Sequence, residues 1–194
     1  MRGSAATVVR LLTDFGPTGM TLLEVGGGAG EIQVALLESG VAASAINIDL
    51  SPNWETPAAA LLSERGLSDR VTRLNGDFVQ VAADLPKADA VILHRVVCCY
   101  PDWKAMLKAA ASRANRLVVV TFPRSTPWFR VIAAVENGYH RLRKRQFRAF
   151  LHPPEAMIGL LSSLGFQVAG EHQGLVWRTA LTVSPPITRN QPGD

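Results

Sequence analysis

The stretch Glu24-Val25-Gly26-Gly27-Gly28-Ala29-Gly30 constrains this 194-residue chain more than any other feature. It follows a short apolar run at 21–25. Beyond it, Ile32, Ala35 and Leu36 recur at helical spacing until Gly40. An apolar run that stops at glycines and gives way to helical periodicity reads as strand, glycine loop and helix. Such a unit needs neighbours, because a parallel strand is reached only through a crossover that covers one face of the sheet. Further strands are expected at 45–49, 71–75, 88–93 and 117–122. The last two are nearly continuous apolar runs, as in central parallel strands covered on both faces. Helices are expected at 5–15, 31–37, 57–66, 103–114 and 154–164, with Ala6, Val9 and Leu12 as the inward stripe of the first. Residues 166–170 and 175–183 read as two strands joined by a tight Glu171-His172-Gln173-Gly174 connection. The expected class is α/β: a seven-stranded, mostly parallel sheet with an antiparallel C-terminal hairpin and helices on both faces.

Length suits one domain, taken as 1–184, with a loose tail at 185–194 that carries three prolines. Apolar residues at 47% and charged residues at 19% exclude a disordered or low-complexity chain. No run approaches the roughly 18 apolar residues of a membrane span. Arg10 and Asp14 interrupt any secretory leader. The only two cysteines, Cys98 and Cys99, are adjacent and lack zinc spacing, so no metal site is expected and a reducing, cytoplasmic setting is the default.

Three chemistries use a strand, a glycine loop and a helix. A phosphate-cradling loop needs a lysine after its last glycine, and the chain contains no Gly-Lys pair. The dinucleotide fingerprint needs a small residue where Glu31 or Gln33 stands. What fits is an acid followed by G-x-G-x-G, and this loop resembles motif I of the class I S-adenosylmethionine-dependent methyltransferases, a Rossmann-like family. The resemblance implies S-adenosyl-L-methionine as cofactor, with Glu24, Gly26, Gly27, Gly28 and Gly30 forming the loop that holds it. It also assigns Asp49, 19 residues after Gly30 and followed by Leu50, to the ribose hydroxyls. Asp77, followed by Phe78, is assigned to the adenine amino group. The physics agrees: a carboxylate accepts two hydroxyl hydrogen bonds at once, and Glu24 and Asp49 suit a phosphate-free, cationic ligand.

The strand at 88–93 delivers Leu-His-Arg-Val-Val-Cys-Cys-Tyr-Pro-Asp-Trp to the carboxyl edge of the sheet, where ligands of open α/β sheets bind. This string is similar to one in small bacterial methyltransferases related to magnesium-protoporphyrin O-methyltransferases. His94 is expected beside the cofactor as first candidate base, with a polar contact to cofactor or backbone as the equal alternative. His140 is the second candidate base. Arg95, Tyr100, Trp103 and Tyr139 are the candidate acceptor contacts. His152 is expected to shape a loop, His172 to lie on the surface, and the cysteines to pack.

Charge divides the chain. Residues 1–103 carry a net −5 and residues 104–194 a net +9, giving +4 overall. Within the second half, 123–152 is expected as a basic, aromatic insertion that lids an acidic acceptor, with a solvated face as the alternative. The expected activity is methyl transfer to a small acidic or aromatic acceptor, at oxygen. RNA methylation through the arginine-rich face and a cofactor-binding scaffold without turnover are the alternatives. The acidic first half argues against a nucleic-acid partner without excluding it. Only a short helix precedes the glycine loop, so a homodimer is one way to close the pocket.

Overall fold

The computed structural model describes residues 3–124, 135, 138, 143 and 150–184. The elements run α1 (Ser4–Phe15), β1 (Met20–Val25), α2 (Glu31–Glu38), β2 (Ala42–Asp49), α3 (Glu55–Glu64), β3 (Val71–Asn75), α4 (Phe78–Val81), β4 (Ala88–His94), α5 (Trp103–Arg113), β5 (Ala114–Pro123), α6 (Pro154–Ser163), β6 (Gln167–Gln173) and β7 (Trp177–Val183). One seven-stranded sheet has the order β3-β2-β1-β4-β5-β7-β6. Its first five strands are parallel, and β7 runs antiparallel to both of its neighbours. The chain moves outward from β1 to β3 and then returns to place β4 on the other side of β1. That reversal opens a crevice at the carboxyl ends of β1 and β4, where ligands of open α/β sheets lodge.

Two apolar layers sandwich the sheet. On one face Val8, Leu11 and Leu12 of α1, Ile32 and Leu36 of α2 and Leu62 of α3 pack on Leu22, Ala90, Ile92 and Val119. On the other face Phe78 of α4, Met106, Leu107 and Ala110 of α5 and Met157 and Leu161 of α6 pack on Leu23, Val91, Leu93, Val118 and Val120. Consecutive residues of β4 alternate between the layers, as the two-residue period of a strand requires. Among the described residues no helix is long and apolar enough to cross a membrane.

Three local expectations change. The inward stripe of α1 is Val8, Leu11 and Leu12. This i, i+3, i+4 set is the tighter helical face. Residues 52–54 form a 3-10 turn that starts α3 two residues early, with Pro57 in its first turn, where the missing N–H costs nothing. The tight connection expected at Glu171–Gly174 is mostly strand: β6 extends to Gln173, and the reversal falls at Gly174, whose N–H donates to the Trp177 carbonyl at 2.9 Å. Polar residues there read as a turn, yet β6 is an edge strand with little buried surface, and Glu171 holds Arg178 of β7 at 2.7 Å.

Candidate functional site

β1 ends where its ladder with β2 is completed by the Gly26 N–H donating to the Ile48 carbonyl at 2.8 Å. The backbone then turns with Gly26 at φ 64°. A Cβ there would lie 2.7 Å from Val96, and one on Gly27 would lie 2.5 Å from Asn47 Nδ2 and 2.7 Å from Glu24 Cδ. The loop is thus pressed between a buried polar layer below and Val96 beside it, with room for backbone only. It opens α2 without a side-chain cap, because Gly30 in the left-handed conformation occupies the N-cap.

Asp49 fastens this loop to the end of β2. Its Oδ2 accepts from the Gly28 N–H at 2.9 Å and its Oδ1 from the Ser51 N–H at 2.8 Å. Each oxygen keeps a second lone pair. Asp77 caps α4 by accepting from the Val79 N–H at 3.0 Å, and its other oxygen accepts from the Tyr100 hydroxyl at 3.0 Å. Arg73 reaches from β3 to the Gly28 carbonyl at 3.2 Å and to Glu55 at 3.1 Å, bracing the loop from the far side.

These groups surround a cavity of about 730 Å³. That volume lies within the range of small-molecule sites. Of the residues expected at a cofactor site, Gly26, Asp49, Leu50, Asp77 and Phe78 line it. Gly27, Gly28 and Gly30 complete the loop without lining the cavity. Of the expected acceptor contacts, Arg95 and Tyr100 line it. Trp103 does not: it begins α5 with its ring 6.1 Å from that of His152. His140 and Tyr139 lie outside the described residues, as do most of 123–152 and the tail. Phe150, at the described end of that segment, lines the cavity.

Glu24 and His94 sit differently from expectation. Glu24 is 1% exposed beneath the loop, not in the cavity, and burial raises its pKa from 4.5 to about 8. Its Oε2 and the side-chain amides of Gln33 and Asn47 have no protein hydrogen-bond partner among the described residues. His94 is not part of the cavity lining; its Nε2 is 2.9 Å from the Ser4 hydroxyl of α1. Burial, and then the charge of Arg95, lower its pKa to about 4. His152 shapes a loop as expected, with Nε2 2.9 Å from the Tyr100 carbonyl, and His172 is exposed on β6. Cys98 packs, whereas Cys99 is exposed and lines the cavity.

Arg95 has the only positive φ outside glycine among the described residues, 59°. Its N–H donates to the Thr121 carbonyl at 3.2 Å, and its guanidinium lies 4.2 Å from the centroid of the Trp177 ring. Such an outlier costs about 1–3 kcal/mol and persists where neighbours over-determine it. Sequence reasoning missed Ser51, Trp54 and Val96 in the cavity wall and Arg73 behind the loop. Only Trp54, an exposed aromatic just after the Asp49 strand end, gave a usable local signal.

The geometry suits S-adenosylmethionine: a backbone-only cradle at Gly26, and a cavity lined by two carboxylate residues and by apolar side chains. Residues 1–171 match the methyltransferase domain family. Among solved structures the chain is similar to the magnesium protoporphyrin IX methyltransferase from Synechocystis PCC 6803 with bound SAH. The TM-score is 0.75 and the identity 23%, over 93% of this chain and 81% of that one. An O-methyltransferase family protein from Burkholderia thailandensis gives 0.73 at 18%, over 93% and 56%. The [4+2]-cyclase SpnF gives 0.69 at 15%, over 92% and 80%. The cyclase's presence means that the fold alone does not decide the reaction, whereas the family match covers most of this sequence. The chain belongs to the methyltransferase domain family, as a class I S-adenosylmethionine-dependent methyltransferase.

Proposed function

We propose that the chain methylates an oxygen of a small acidic or aromatic acceptor, and that a carboxylate is the acceptor it suits best. The observation that carries this reading is the mixture of charge in one cavity, whose lining includes the carboxylate residues Asp49 and Asp77 together with Arg95. When bound, the cofactor supplies a sulfonium methyl group open to in-line displacement. Asp49 accepts hydroxyl hydrogen bonds through its remaining lone pairs, and Asp77 accepts from an amino group while Tyr100 fixes its orientation. Arg95, whose guanidinium carbon lies 4.2 Å from the centroid of the Trp177 ring, carries in-plane N–H donors that match a carboxylate. Leu50, Trp54, Phe78 and Phe150 give the cavity apolar surface that displaces water when ligands enter.

A carboxylate acceptor is ionised at neutral pH and needs no base, so the reaction rests on holding two reactants in line. This agrees with His94, whose pKa of about 4 is far from the operating pH that general-base catalysis favours. The test has two stages. Calorimetry with S-adenosylhomocysteine should show one site in the wild type, weakened more than tenfold in Asp49→Ala, since hydrogen bonds to charged groups are worth about 1.5–3 kcal/mol each. Methyl-labelled S-adenosylmethionine is then offered with a panel of aromatic and aliphatic carboxylic acids, phenols and amines. A product whose label is released as methanol by mild alkali identifies a methyl ester, and Arg95→Gln should raise its KM more than it lowers kcat. Label found only in alkali-stable methylated amines would overturn the proposal.

A further inference from the structure

Cys98 and Cys99 sit in the 3-10 turn at residues 97–99, between the strained Arg95 and Tyr100. Their sulfurs are 3.9 Å apart. Both thiols approach the Arg95 carbonyl, Cys98 donating at 3.4 Å and Cys99 at 3.8 Å. Cys99 is exposed and faces the cavity. No other cysteine exists in the chain.

Three chemistries could use two sulfurs held this way, and geometry separates them. A disulfide needs about 2.05 Å between sulfurs and favours Cα atoms more than about 4.4 Å apart, whereas adjacent residues are fixed at about 3.8 Å, so closure would strain the turn. A divalent cation needs both thiols ionised and further ligands. The Cys99 thiol beside it, and burial, push the Cys98 pKa far up. Among the described residues no third His, Cys, Asp or Glu converges on the pair. A trivalent metalloid asks for less. It condenses with neutral thiols and needs only two neighbouring sulfurs from the protein, which this turn already holds 3.9 Å apart.

We propose that Cys98 and Cys99 form a capture site for a trivalent arsenical, which bridges the two sulfurs at the cavity wall. The reaction balances without an oxidant. An arsine oxide, R–As=O, reacts with the two thiols to give R–As(S)₂ and water; two As–S bonds form, the As=O bond is lost, and both thiol protons leave on that oxygen. Arsenic stays trivalent throughout. Its third substituent follows the side of Cys99 into the cavity. The adduct also removes both S–H donors from the Arg95 carbonyl, so capture is coupled to the residue proposed to hold the acceptor.

Phenylarsine oxide is the probe. The folded wild type is incubated with one equivalent, washed with excess glutathione and weighed intact under native conditions. The expected result is one phenylarsenic group per chain with two hydrogens lost, both thiols silent to a thiol reagent, and release by 2,3-dimercaptopropanol but not by glutathione. Cys99→Ser, at an exposed position, and Cys98→Ala should each lose the adduct at least tenfold faster in glutathione. Circular dichroism verifies that each variant is folded, and Cys99→Ser alone suffices if Cys98→Ala is not. Wild type that sheds the label as fast as the variants, or one arsenic shared between two chains, would overturn the proposal. Neither readout depends on cofactor binding or turnover.

Discussion

Replacing Glu24 by Gln should make the protein markedly more stable than wild type above pH 7 and leave it little changed near pH 4.5. The carboxyl is fully enclosed, and desolvation is the main cause that lifts its pKa from 4.5 to about 8. The Gln33 N–H and Arg73 offset part of the rise. The sign follows from proton counting. Between pH 4.5 and 8 the unfolded chain has released the Glu24 proton while the folded chain still holds it. The unfolded state therefore binds fewer protons, and stability falls as pH rises. At about 1.4 kcal/mol per unit, the full shift is worth about 5 kcal/mol, reached at pH 8 and above. An amide has the shape of the protonated acid and no proton to lose, so the variant escapes this penalty. Urea unfolding followed by circular dichroism at half-unit steps from pH 4.5 to 8.5, on both proteins, isolates the effect, because other titrating groups cancel in the difference. The difference should grow by about 1.4 kcal/mol per pH unit through the middle of the range. A flat difference would show that Glu24 is ionised in the fold, with an unrecognised partner for its Oε2, and would refute the reasoning.

Gly27→Ala should cost about 1–3 kcal/mol in the same unfolding assay, since its Cβ would lie 2.5 Å from Asn47 Nδ2 and 2.7 Å from Glu24 Cδ; a neutral result would mean the polar layer yields. Tyr100→Phe removes the hydroxyl that donates to Asp77 and should lower stability by about 1 kcal/mol, with a weaker calorimetric affinity for S-adenosylhomocysteine. The His94 imidazole should titrate below pH 5 by proton NMR. Its lowered pKa makes its contribution to stability fall as pH drops from the unfolded value of 6.5 toward 4. A midpoint near 6.5 would place the ring in water instead. Turnover by His94→Gln should keep the wild-type pH profile between pH 6 and 8.

The parts of this molecule that were legible in its sequence are those fixed by neighbours along the chain. The glycine loop, the strand ends at Asp49 and Asp77 and the covered central strands each follow from a local pattern, and local patterns survive folding when the sheet is buried on both faces. β6 was misjudged for the complementary reason. An edge strand buries little, so its polar Glu171, His172 and Gln173 lack the alternation that marks a strand. Ser51, Val96 and Phe150 could not be read as neighbours, because the sheet brings them together from three separate connections. His94 is the instructive case, since its placement was within reach. In β4, Ala90 and Ile92 pack in the layer containing α1, and Val91 and Leu93 in the opposite layer. A two-residue period carried to the end of the strand turns residue 94 toward α1, where Ser4 meets it. Arg95, the next residue, lines the cavity through a positive φ that no periodicity foretells. Adjacency in sequence at the rim suggested a base beside the methyl donor. Strand parity sends the imidazole behind the rim, and the positive φ of Arg95 leaves that residue in the cavity lining, an arrangement that fits the proposal of an acceptor arriving already ionised.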